Sequence, residues 1–233
     1  VLRRTDKLLK PRACYRMIHP DAVKLGRALR GMDGIKAAVV FGSAARMEDF
    51  VEGLSDIDVL VLLERRNPKV ERVIREKAAA LGISPAIMTM REFARGLRAG
   101  DPGLLLMCRG RPLWRSDCFE SLKKEARVTP FTLKRLLQLA RCALSISLRE
   151  LDSNPPQALS SAYHAARHAL RARILKTKKV LMDSNEEIRL ALPEKEREEF
   201  ESFLEARRRY ATIERKELKS LIRLARRIID RES

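Results

Sequence analysis

The chain has 233 residues, 45% of them hydrophobic and 34% charged, with a net charge of +18. That is enough for one large domain or two small ones, and no apolar run nears the roughly 20 residues that span a bilayer. The charged start (Arg3, Arg4, Asp6, Lys7, Lys10) lacks the apolar core and small-residue cleavage site of a signal peptide, so a cytoplasmic location with no membrane partner is the expectation. The surplus is spread evenly, +9 in residues 1–125 and +9 in 126–233. Such a field draws polyanions and triphosphates, while abundant Arg, Lys and Glu also suit the ion-paired surface of a thermophile. Cys14, Cys108, Cys118 and Cys142 form no CxxC pair and read as reduced thiols.

The first half alternates short apolar runs with helical patterns. Asp21–Arg30 is predicted helical and ends at Gly31; Ile35–Phe41 is a buried strand. Asp56–Leu63 (DIDVLVLL) is a second strand, and Pro68–Leu81 an amphipathic helix closed by Gly82. Ile83–Met88 is a third, weaker strand and Arg91–Arg98 a short helix. A turn at 100–103 precedes an apolar stretch, Leu104–Cys108, and Arg111–Trp114 is a small edge strand. The stretch Asp117–Thr129 reads as the join.

The second half shows helical periodicity alone. Thr129 and Pro130 form an N-cap and first position for a helix running to Ser153. A second runs through Leu159, Tyr163, Leu170 and Ile174. A short one is capped by Ser184 or Asn185. A third long helix opens at Pro193, and the last carries Leu218–Ile229. The expected fold is therefore α+β followed by all-α: a small mixed sheet with flanking helices over residues 1–120, then a helical bundle over 121–233.

The chemistry sits in two pieces. Val39-Val40-Phe41-Gly42-Ser43-Ala44-Ala45-Arg46 is a strand leading into a Gly-Ser bend. Glycine lets the backbone turn sharply and lets an anion approach its amides, and the Ser43 hydroxyl and Arg46 guanidinium add donors for phosphate oxygens. Ser55-Asp56-Ile57-Asp58 opens the next strand. Two carboxylates two residues apart share a strand face and repel unless a cation sits between them, and hard divalent ions that also bridge phosphates suit that geometry.

Gly42-Ser43, Arg46 three residues on, and Ser55-Asp56-Ile57-Asp58 before an apolar run together resemble the DNA polymerase β-type nucleotidyltransferase superfamily, above all its minimal members from archaea and bacteria. The resemblance spans roughly residues 20–120 and is specific at 39–61. It implies that Gly42 and Ser43 contact nucleotide phosphates and that Arg46 supports them or the acceptor. Ser55 would shape the turn, and Asp56 and Asp58 would be the catalytic ligands of Mg²⁺ or Mn²⁺. It further implies transfer of a nucleoside monophosphate from a nucleoside triphosphate to a hydroxyl of a protein, RNA or small molecule. The family places a third carboxylate on the next strand, where this chain reads Ile83-Ser84-Pro85-Ala86-Ile87-Met88. That departure keeps a second reading open, a catalytically impaired nucleotide- or RNA-binding module of antitoxin-like type. Glu64 lies at the far end of its strand, and no spacing argument supports Asp101.

The helical half resembles HEPN domains and the helical substrate domain of kanamycin nucleotidyltransferase-type enzymes. Catalytic HEPN domains carry an Arg followed four to six residues later by His; here Arg207-Arg208-Arg209-Tyr210 has no such His, which argues against ribonuclease activity. His164 and His168, four apart, read as a polar helix stripe rather than a metal pair, Tyr163 as core, and Arg207–Arg209 as a solvated helix end rather than a phosphate site. Helical surfaces of this kind often pair, so a homodimer is compatible with the sequence.

Overall fold

The computed structural model describes residues 18–232; the charged start and Cys14 lie outside the described residues. These fall into two compact units, one of residues up to Phe50 with Ser55–Phe131, the other of Val51–Leu54 with Thr132 onward.

In the first unit, α1 (Pro20–Leu29) starts with proline at its first turn and with His19 Nδ1 accepting from the Asp21 amide. β1 (Ile35–Phe41) follows, then two 3₁₀ turns, Gly42–Ala45 and Met47–Asp49. β2 is Asp58–Leu63, two residues shorter at its start than the sequence suggests. The cause is the partner strand: Phe41 pairs with Asp58, and beyond Phe41 the chain bends away, so Asp56 and Ile57 have no ladder to join. α2 (Pro68–Ala79) is capped by the Asn67 side chain. β3 is Ala86–Thr89, not Ile83–Met88, because Pro85 has no N–H to give a ladder. α3 (Met90–Ala99) opens with a reciprocal Thr89/Glu92 capping box and stops at Gly100. Two helices stand where none is assigned from sequence. Asp101 caps α4 (Pro102–Met107), and Ser116 caps α5 (Asp117–Lys123) within the supposed join. β4 shrinks to Arg111–Pro112.

The sheet order is β3-β2-β1-β4, with β1 antiparallel to β2 and β4, and β2 parallel to β3. It is a small mixed sheet with helices on both faces. Ala38, Val40, Val59, Val61 and Leu63 share a core with Leu25 and Leu29 of α1 and Ile74 of α2. Helices α3, α4 and α5 lie against the strands too, and Phe93 stacks on Phe119. Burial on both faces explains why β2 reads as a continuous apolar run rather than an alternating one.

The second unit is helical: α6 (Pro130–Glu150), α7 (Pro155–Lys178), the short α8 (Asn185–Ala191), α9 (Glu194–Arg208), a 3₁₀ turn (Tyr210–Thr212) and α10 (Arg215–Asp230). α7 is buried on most of its circumference. Six of its buried residues are alanines, from Ala158 to Ala172, and their small side chains let neighbours approach closely. Phe200 and Phe203 of α9 and Leu218, Leu221, Ile222 and Ala225 of α10 complete that core. Gly53, from Val51–Leu54, lies against the Tyr210 hydroxyl. No described helix is long and apolar enough to cross a membrane. Cys108, Cys118 and Cys142 are free thiols.

Phe200 is fully buried and stacks on Tyr163 with ring centroids 6.1 Å apart. Phe200→Ala is expected to cost about 3–5 kcal/mol of stability, read by urea unfolding; a loss under about 1 kcal/mol would contradict this core.

Candidate functional site

β1 delivers the bend. Its last pairing sets Phe41 opposite Asp58, and Gly42 turns with φ +64°, a value that side chains with a Cβ rarely adopt. A Cβ at Gly42 would stand 2.5 Å from Asp58 Oδ2. Glycine is thus required twice here, by the backbone angle and by the carboxylate against it. Two 3₁₀ turns follow, the first closed by Arg46 N–H donating to Ser43 O at 2.8 Å.

Asp58 begins β2 and is half-buried; Asp56 precedes it in coil and is exposed; Ser55 is half-buried before them. Burial first, and then the charge of Asp56, push the Asp58 carboxyl up to about 6, while Arg46 pulls it down. The two acids are therefore close enough to repel, and Arg46 is close enough to relieve part of that repulsion. Arg46 Nε also donates to Asp49 Oδ2 at 3.2 Å, and this pair is largely withdrawn from solvent. The guanidinium is tied to its own loop as well as facing Asp58.

Asp49 and His19 are the neighbours that sequence reasoning missed. Asp49 had a signal, its i+3 spacing from Arg46 within a tight loop. His19 had none: its N–H donates to Ala44 O at 3.0 Å, and its ring lies 4.9 Å from Phe50. It bolts the start of α1 to the bend.

The remaining acids lie elsewhere. β3 contains no carboxylate, and extending its parallel register two residues back from the Leu60–Ala86 pair brings Ser84 level with Asp58. Glu64 pairs with Lys36 beyond the other end of β2, and Asp101 is taken up as a helix cap. Among the described residues no group of three or more His, Cys, Asp or Glu could hold a metal by itself. Two hard oxygen donors held close, one of them partly desolvated, do suit a divalent ion whose other ligands come from phosphates.

In the helical unit one expectation is corrected. Arg207 is not a solvated helix end: it is buried, with its guanidinium 4.0 Å from the centroid of the Tyr163 ring. Desolvation and neighbouring arginines hold His164 well below the usual imidazole range and His168 at about 3. Both are neutral at physiological pH. Tyr163 is core, as expected, and its hydroxyl meets Asn185 Oδ1 at 2.7 Å.

Residues 23–100 match the family model of the nucleotidyltransferase domain. That span carries the whole of 42–58 and leaves α6 to α10 outside. Among solved structures, the chain is similar to a nucleotidyltransferase-like protein from Exiguobacterium sibiricum 255-15, 14% identical, with a TM-score of 0.34, covering 89% of this chain and 75% of that one. No curated protein matches. Neither match names an HEPN or kanamycin-type helical domain.

The Asp58 shift has a sign that can be measured. Its folded value lies above 3.8, so between about 4 and 6 the folded state holds a proton that the unfolded chain has released. Stability is therefore lost as pH rises through that window, and the penalty is complete above it. Asp58→Asn is expected to melt at a higher temperature than the parent at pH 7.5, with the gap closing towards pH 4. A variant less stable than the parent at pH 7.5 would refute the repulsion.

Proposed function

We propose that the first unit is a nucleotidyltransferase. It moves a nucleoside monophosphate from a nucleoside triphosphate to an acceptor hydroxyl. The observation that carries this reading is the placement of the Gly42 backbone directly against the Asp58 carboxylate, at the sheet end where Asp56 also stands. The family match over the same residues supports it.

In this reading Asp56 and Asp58 would hold Mg²⁺ or Mn²⁺, which would supply charge neutralisation for the triphosphate. Gly42 and Ser43 take the phosphate tail on backbone amides and the serine hydroxyl, at a bend that no Cβ obstructs. Arg46, braced by Asp49, adds positive charge on the same side. The acceptor oxygen attacks the α-phosphorus, the bond to the bridging oxygen breaks, and pyrophosphate leaves with its electron pair. The acceptor's proton has no β3 carboxylate to go to and passes to solvent. A positioned general base contributes about 10²–10⁴-fold, so turnover is expected to be slow by that measure.

That missing carboxylate is also the observation that favours a second reading, a nucleotide- or RNA-binding module on the same fold. Two measurements separate them. Incubation with α-labelled triphosphates, Mg²⁺ and whole-cell RNA and protein should label an acceptor, and Asp58→Asn should reduce labelling by about 10²-fold or more. Calorimetry with Mg²⁺–triphosphate should show binding that Asp58→Asn weakens. Binding without labelling selects the module; neither binding nor labelling removes both readings.

A further inference from the structure

α10 buries Leu218, Leu221, Ile222, Leu224, Ala225, Ile228 and Ile229, and its opposite side is basic. Lys216, Lys219, Arg223, Arg226 and Arg227 are all exposed. At about 100° per residue they fall within an arc of roughly 100°, and they run along about 16 Å of helix axis. Asp230 stands on the same arc at its far end, and Glu217 lies off it, paired with Arg209.

Five exposed cations along one face of a single helix are what mark this stripe. Several outward arginines of the unit have carboxylates: Arg189 with Glu201, Arg215 with Asp152, Arg231 with Glu199. Among the described residues, none of the five stripe cations forms a salt bridge, although Arg227 is near enough to Glu199 to lower its pKa. Charges left together in this way repel one another, a cost that a polyanion removes.

We propose that this face of α10 binds the phosphodiester backbone of duplex nucleic acid. Each strand of a duplex carries about one charge per 3.4 Å of axis, close to the roughly 4 Å mean spacing of this rigid row of cations. The stripe has no aromatic side chain on which unpaired bases could stack. It has no apolar side chain to enter a bilayer either, because the apolar face of α10 is already in the core. Recognition is by charge and shape, without base readout. The inference does not depend on nucleotidyl transfer.

The test uses the full chain, without triphosphate, and fluorescein-labelled duplex RNA and duplex DNA of the same length, with anisotropy read across a KCl series. Five phosphate contacts give a log–log salt slope of about −4.5. Lys219→Glu with Arg223→Glu should weaken binding at least about tenfold and flatten the slope by roughly 2. Lys69→Glu with Lys77→Glu, the same charge change on the exposed side of α2, should alter affinity less than about threefold. Lys219→Gln with Arg223→Gln repeats the test with a milder change, and circular dichroism checks the fold. Asp58→Asn should bind like the parent, which separates this surface from the transfer site. Equal losses in the two double-Glu variants, no duplex binding at low salt, tighter binding of the single strand, or binding of phosphatidylserine vesicles in place of duplexes would each overturn the proposal.

Discussion

Phe41 opposite Asp58 is the last rung of the β1–β2 ladder, and the site depends on it. That pairing brings a bend at the end of one strand beside an acid at the start of the next. Because side chains alternate along a strand, a slip of one residue would turn Asp58 to the other face of the sheet. The slip is opposed by the core. Val39, Val40 and every residue from Val59 to Leu63 are buried, and shifting the register would set all of these against the wrong neighbours. The geometry of the acids is thus held by apolar packing several residues away from them.

Electrostatics act in the opposite direction at the same place. Asp58 is partly withdrawn from water and lies near Asp56, so its charged form is disfavoured. Arg46 offsets part of this while being engaged by Asp49. The site is therefore under like-charge strain beside a bend whose Gly42 leaves room for the Asp58 carboxylate. The strain is tolerated because the buried residues of β1 and β2 hold the surrounding sheet in place.

The helical unit handles its positive charge in two different ways. Inside, Arg171 donates to Met182 O at 2.9 Å and Asp183 O at 2.7 Å. Arg167 also donates to Asp183 O, and Arg207 lies over Tyr163. Arg167 and Arg171 fasten the segment before α8 to α7, and burial first, then neighbouring positive charge, keeps His164 and His168 neutral. Outside, several arginines are matched by carboxylates, and the row on α10 is not. Net charge of +18 therefore does not describe a uniform surface; it divides into structural, neutralised and unneutralised parts.

Local sequence patterning determined the order of the strands and long helices and the change from α/β to all-α character, because burial on two sheet faces or one helix stripe leaves its mark in every few residues. It also determined the Gly-Ser bend and the acid pair, since glycine and closely spaced carboxylates are chemically distinctive. Tertiary structure decided the rest. β2 starts at Asp58 because strand pairing, not propensity, ends where the partner bends away. α4 and α5 depend on caps by Asp101 and Ser116, signals too short for a periodic pattern to reveal. His19 joins the bend through a backbone hydrogen bond that any residue could make, and Arg207 is buried because an aromatic ring from another helix lies under it. Such contacts link residues distant in sequence, and no local pattern encodes them.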